Sequence, residues 1–242
     1  MNISTIEILK YALIATSATI IGCLIALYIK PSDKLRGFLL HFAAGIIFSV
    51  VAVEILPDIV HRNMPLDIII GFSMGVITMF LVKMFSEKME DDNENNEAKI
   101  PWGLIVAGCV DEFIDGLLIG IGFIAGQKEG ILLTVALAVE VFVFSLAVTS
   151  TLRNKNISKG KTFLIMASMA MLFLIGTMLG ATLLSNLSVN WLEIILSFGL
   201  AALLYLVTEE LLTEAHEMKE SPWLTSAFFV GFLLFLIIGI VV

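Results

Sequence analysis

An all-α integral membrane protein is the fold this sequence predicts: one transmembrane domain over 1–242, with eight transmembrane helices in a 3+2+3 arrangement with inverted repeats. Three observations predict it. First, 59% of the 242 residues are hydrophobic, mean hydropathy is +1.01 and only 15% are charged. Apolar runs of spanning length recur from end to end and leave no room for a soluble domain of ordinary size. Second, two of these runs share a gapless pattern ending in acids. Third, three carboxylates (Asp111, Glu112, Asp115) stand in the middle of the most central run. Charge in hydrocarbon costs about 2.5–3.5 kcal/mol per residue even on the lenient insertion scale, so they need a partner or a purpose.

The spans are expected at about 8–29, 37–57, 66–82, 102–126, 130–152, 162–185, 191–212 and 223–242. At about 1.5 Å per residue most match a hydrocarbon core of about 30 Å. The first resembles a signal peptide only superficially: it carries Glu7 before Lys10, lacks a convincing cleavage site and is followed by further spans. The third is the shortest. Trp102, Trp191 and Trp223 stand at span starts, where interfacial tryptophans belong. Connections are short except at 86–99, rich in Glu, Asp and Asn, which reads as a solvated cytoplasmic acidic loop, with weak cation collection as its alternative role. Cys23 and Cys109 both fall inside spans and offer no disulfide framework. A net charge of −8 gives nucleic acid no support as a partner.

Orientation follows from the bases. One side carries Lys10, Arg62 and Lys128; the other carries Lys30, Lys34, Arg36, Lys83, Lys88, Lys99, Arg153, Lys155, Lys159, Lys161 and Lys219. The positive-inside rule puts both termini outside and the acidic loop in the cytoplasm.

The second and seventh spans match 156 positions apart: Phe42 meets Phe198, Glu54 meets Glu210 and Asp58 meets Glu214. Five crossings separate them, so they run in opposite directions, the signature of an inverted repeat and the usual frame of a secondary transporter. The fourth and fifth spans form the central pair.

Asp111 and Asp115 share a helix face, with Glu112 about 100° round from Asp111. Asp111 lies roughly 14 Å deep from one side and Glu140 of the fifth span roughly 15 Å from the other, which brings both to the bilayer midplane. Four ionised carboxylates cannot coexist there unaided, so protons or a bound cation must compensate. A divalent ion held by two or three of them, with the rest protonated, is neutral and makes proton exchange on binding expected. The other acids extend a path. Glu54 and Asp58 close the second span on the outer side, with His61 beyond. Glu209, Glu210 and Glu214 close the seventh span on the inner side, with His216 beyond. The competing readings are a structural polar cluster for Asp111, Glu112, Asp115 and Glu140, ordinary helix-end acids for Glu54 and Glu210, and solvated residues for His61 and His216. His41 reads as structural. The methionines Met166, Met169, Met171 and Met178 read as packing or lipid-facing, and Gly116, Gly120, Gly122 and Gly126 as sites of close helix approach.

The run Asp111-Glu112-Phe113-Ile114-Asp115-Gly116-Leu117 resembles the fourth-span motif, His-Asn-x-x-Asp-Gly, of the ZIP (Zrt/Irt-like) family of divalent metal transporters. Ala136-Leu137-Ala138-Val139-Glu140 resembles the approach to its fifth-span motif, His-Glu-x-Pro-His-Glu. Leu56-Pro57-Asp58 and the run from Leu204-Tyr205 to Glu214 are similar to the ends of its second and seventh spans. The chain departs from the family where Asp111 and Glu112 replace histidine and asparagine. It departs again where Val139, Phe142, Val143 and Phe144 stand at the family's histidine, proline, second histidine and second glutamate. The resemblance implies a divalent-cation carrier acting inward and no enzymatic activity. Asp115 and Glu140 carry over by identity, and Asp111 and Glu112 by position with changed chemistry. Without imidazole, the set of Asp111, Glu112, Asp115 and Glu140 suits zinc less and harder ions such as manganese or iron(II) more, although carboxylates also bind zinc. The cation is substrate, and no cofactor is expected. The expected partners are the lipid bilayer and the ion, with a homodimer as an open assembly. Short loops point to a prokaryotic plasma membrane. Two rival functions remain: a diverged, non-transporting metal sensor or scaffold, and a proton- or sodium-coupled carrier of another solute.

Overall fold

The computed structural model describes residues 5–29, 31–91, 100–183, 188–216 and 222–241, and helices account for nearly all of them. Eight long helices run in order among them: α1 Thr5–Tyr28, α2 Asp33–Arg62, α3 Pro65–Asp91, α4 Trp102–Ala125, α5 Gln127–Asn154, α6 Lys159–Leu183, α7 Val189–His216 and α8 Pro222–Val241. Seven are long and apolar enough to cross a membrane. The eighth, α4, is of spanning length at 24 residues and is the one that carries Asp111, Glu112 and Asp115. This is the architecture of an integral membrane protein. Lys30, Lys99, Lys219 and the acidic stretch 92–99 lie outside the described residues.

Local chemistry sets the helix ends. The Ser32 side chain caps α2 by accepting from the Leu35 N–H at 3.3 Å. Pro65 and Pro222 open α3 and α8, where a missing N–H costs nothing. Asn63, in the left-handed region at φ 53°, turns the chain between α2 and α3. The α3 helix continues through Ser86–Asp91, residues the sequence reading gave to the acidic loop. Hydropathy marks where hydrocarbon ends. The stretch Ser86-Glu87-Lys88-Met89-Glu90-Asp91 contains neither Gly nor Pro, so nothing breaks the helix there.

Both α2 and α7 are interrupted by a π turn, at Val51–Ile55 and Leu206–Leu211. In α2 the cause is Pro57, which lacks an N–H and whose ring crowds the carbonyl four residues back. In α7 no proline is present. Instead Thr213 Oγ1 donates to the Thr208 carbonyl five residues back, at 3.1 Å, and satisfies an oxygen that the wider turn frees. The two π turns coincide under the 156-position repeat, and each carries the repeated glutamate, Glu54 or Glu210.

Helix packing extends the repeat beyond what the sequence displayed. A Cβ on Gly75 of α3 would lie 2.7 Å from the Phe198 carbonyl oxygen of α7. At the matching place, a Cβ on Gly231 of α8 would meet the Phe42 carbonyl of α2. Gly75 and Gly231 are again 156 positions apart. A second matched contact joins the remaining helices: Gly22 of α1 against Phe142 of α5, and Gly176 of α6 against Phe113 of α4. In this correspondence α4 maps onto α5 with Asp111 on Glu140, 29 positions apart. The α4 helix crosses α6 closely. There Gly116 and Gly120 face Phe173, Thr177 and Ala181, while Gly176 and Gly180 face Phe113 and Leu117, backbone against backbone. Gly122 meets Leu133 and Gly130 of α5. Met166 and Met169 are buried with Cys23, Leu27 and Leu152, and Met171 is exposed on the outer surface of the bundle.

Candidate metal site

The close α4–α6 and α1–α5 crossings leave α4 and α5 in the middle of the bundle, and their acids face one another there. Asp111, Asp115 and Glu140 each offer a carboxylate oxygen within 4.8 Å of the others, and all three residues are buried. Oxygens bound at about 2.0–2.2 Å to one ion stand roughly 3–4 Å apart, so small side-chain rotations close the trio on a cation. Both Glu140 oxygens and Asp115 Oδ2 are buried without a donor among the described residues, and the Asp115 and Glu140 carboxyls lie close enough to share a proton. Acceptors of this kind are costly in a low-dielectric interior unless a cation or a shared proton compensates them.

Glu112 is set apart. It is equally buried, but its Oε1 lies 3.5 Å from Thr19 Oγ1 of α1 and its Oε2 has no hydrogen-bond partner among the described residues. The 100° step from Asp111 turns it towards α1 and away from the trio. Ser145 of α5 donates to the Thr19 carbonyl at 2.6 Å and fixes that side of α1 against α5.

A cavity of about 400 Å³ reaches Asp111 from the end where α3 and α7 finish. Glu209, Glu210 and Glu214 line it, together with Lys83, Glu87, Tyr205 and Phe144. Lys83 Nζ pairs with Glu209 at 3.0 Å, and Arg36 pairs with Glu214. His216 stands against His41, with ring centroids 5.6 Å apart. At the opposite end the sequence-predicted acids are held in ion pairs. Glu54 lies 3.8 Å from Lys128, and Asp58 accepts from Arg62 at 2.9 Å. His61 is exposed there, with Nδ1 2.8 Å from the Pro57 carbonyl.

Sequence reading passed over Glu193. Its side chain is fully buried and lies 3.5 Å from Arg62. Standing two residues after Trp191, it looks like an ordinary acid at a helix start, and only the fold brings Arg62 of α2 to it. Lys83 and Lys128 were read for topology alone. Their carboxylate partners lie on other helices, and no local spacing announces them.

The sequence model described as ZIP Zinc transporter matches residues 86–239, which runs from the end of α3 nearly to the end of α8. No curated protein matches the chain.

Proposed function

The chain belongs to the ZIP zinc transporter family, and on that premise we propose a divalent-cation carrier whose substrate site is the trio Asp111, Asp115 and Glu140. Metal-cation transport across a membrane, without enzymatic chemistry, is what membership establishes; the ion, the site and the direction are our reading. The observation that carries it is the convergence of three buried carboxylates from two helices, one of which, Asp111, lines a cavity.

A divalent cation plus one proton neutralises three carboxylates, which lets the loaded site move through a low-dielectric interior. The all-oxygen donor set favours manganese or iron(II) relative to a histidine site, while still accepting zinc. Glu112 is assigned to the α1 interface and supports the site from outside the ion's shell. Glu209, Glu210 and Glu214 form the route between the site and the end richer in Lys and Arg, which the positive-inside rule makes cytoplasmic. Glu54 and Asp58, with His61 beyond, form the opposite approach. The cavity at the end assigned to the cytoplasm, and the ion pairs that hold the acids at the opposite end, support reading the molecule as inward-facing. Exchange of the two ends through the inverted 3+2+3 frame would alternate access, with transport directed into the cytoplasm and both termini outside.

Metal-dependent thermal stabilisation tests the site. Manganese, zinc, iron(II), cobalt and cadmium are each titrated against the purified protein and against Asp115→Asn. Manganese is expected to stabilise the wild type and to lose most of that effect in the variant. Equal stabilisation of both proteins by every ion would remove the trio as the site.

A further inference from the structure

His41 and His216 meet at the inner end of α2 and α7, outside the carboxylate trio. His41 is buried, and its Nδ1 lies 2.8 Å from the Gly37 carbonyl oxygen. A carbonyl only accepts, so Nδ1 carries a proton and the neutral ring keeps its lone pair on Nε2. That nitrogen is buried and has no hydrogen-bond partner among the described residues. A backbone carbonyl fixing one ring nitrogen while the other stays free is the arrangement that orients metal-ligating histidines. The neighbouring ring is His216, with centroids 5.6 Å apart and planes at 77°.

The spacing suits a shared ion. With metal–nitrogen bonds of about 2.0–2.1 Å, each ring centroid sits about 3.2 Å from the metal, and a tetrahedral angle puts the two centroids about 5.2 Å apart. The observed separation is within half an ångström of that. We infer that His41 and His216 form a second metal station, taking a borderline divalent ion such as zinc through two imidazole nitrogens with water completing the shell. The inference rests on the reading of the chain as a metal carrier and deepens it. Leu40, next to His41, and Glu214, two residues before His216, both line the cavity that reaches Asp111, so the station stands beside its mouth. Arg36, paired with Glu214, puts positive charge nearby and holds that carboxylate. It lowers the station's affinity, which suits an ion in transit. The donor set also differs from that of the centre: nitrogen at the exit, oxygen at the midplane. Soft-to-borderline ions would therefore dwell at the exit and hard ions would not.

The test uses the full chain in nanodiscs with the trio disabled by Asp115→Asn and Glu140→Gln, so that only the second station is read. Zinc binding by equilibrium dialysis should persist near one ion per chain, with imidazole scattering in zinc X-ray absorption. Adding His216→Ala, at an exposed position, should weaken it at least roughly tenfold, the least expected for losing a direct ligand. His41→Gln should do the same. Zinc binding that changes less than about twofold in His216→Ala, or zinc without imidazole scattering, would overturn the proposal and leave the ring pair as an N–H-to-ring contact. Failure here leaves manganese binding at the intact trio untouched, so the two readings fail separately.

Discussion

Glu54 and Glu210 hold matched places in the repeat, each within a π turn of an interrupted helix, yet their surroundings differ. Glu54 lies against Lys128, contributed by the start of α5, and close to Gly239 of α8. Glu210 lines an open cavity, and the nearby ammonium, Lys83, is engaged by its neighbour Glu209. Gly239 and Lys83 are themselves repeat partners, 156 positions apart. One end therefore has a small residue that lets the helices close over the glutamate, and the other has a long cation at the cavity wall. The repeat supplies two similar interrupted helices, and single-residue differences accompany the cavity at one and the close packing at the other.

The largest effect on this comparison is expected from removing the frame both ends share. Gly116→Val would drive a branched side chain into the Phe173 carbonyl across the α4–α6 crossing. Loss of folded protein is expected, read as loss of a monodisperse peak on gel filtration in detergent. A folded, active Gly116→Val protein would refute the backbone-to-backbone packing. Next comes access. In a cysteine-free background, Glu210→Cys should react with a membrane-impermeant thiol reagent at least about tenfold faster than Glu54→Cys, because only the former faces the cavity. Equal rates would mean the two ends are equally accessible.

A smaller effect is expected at the outer end. Arg62→Gln strips the fully buried Glu193 of its cationic neighbour, and breaking a buried pair by removing one member costs about 3 kcal/mol. A clear drop in Tm is the expected readout, and Glu193→Gln in the same protein should restore much of it. No change in Tm would show that Glu193 is neutral or solvated. The smallest effect is expected at Glu112. Glu112→Gln should leave manganese affinity within about threefold, because Gln can keep the Thr19 contact, whereas Asp115→Asn should lower it at least about tenfold. Equal losses would put Glu112 back in the ion's shell.

Much of this was legible in the chain. Membrane-spanning length and apolarity follow from physics that acts on every residue of a helix, so the presence of long apolar helices could be read from the sequence. The α2–α7 repeat was visible because two acids recur within apolar sequence, where chance rarely places them. The Gly75–Phe198 and Gly231–Phe42 contacts were invisible, because Gly and Phe recur in any membrane helix and only the crossing gives them meaning. Depth along α4 and α5 brought Asp111, Asp115 and Glu140 to one level. Depth says nothing of azimuth, and Glu112, at the same level, faces another helix. The ion pairs of Lys83, Lys128 and Arg62 join residues far apart in sequence. No periodicity encodes such pairs, nor does any encode the approach of His41 to His216.

The central claim is that three carboxylates between α4 and α5 carry a divalent cation across the membrane. Manganese and zinc uptake into liposomes holding the purified protein tests it most directly, with the Asp115→Asn/Glu140→Gln protein reconstituted at equal density. Saturable uptake by the wild type, reduced at least roughly a hundredfold in the double variant, is the predicted result, about the effect of two lost ligands at tenfold or more each. Wild-type uptake equal to that of the double variant would contradict the claim and leave a family member that no longer transports through this site.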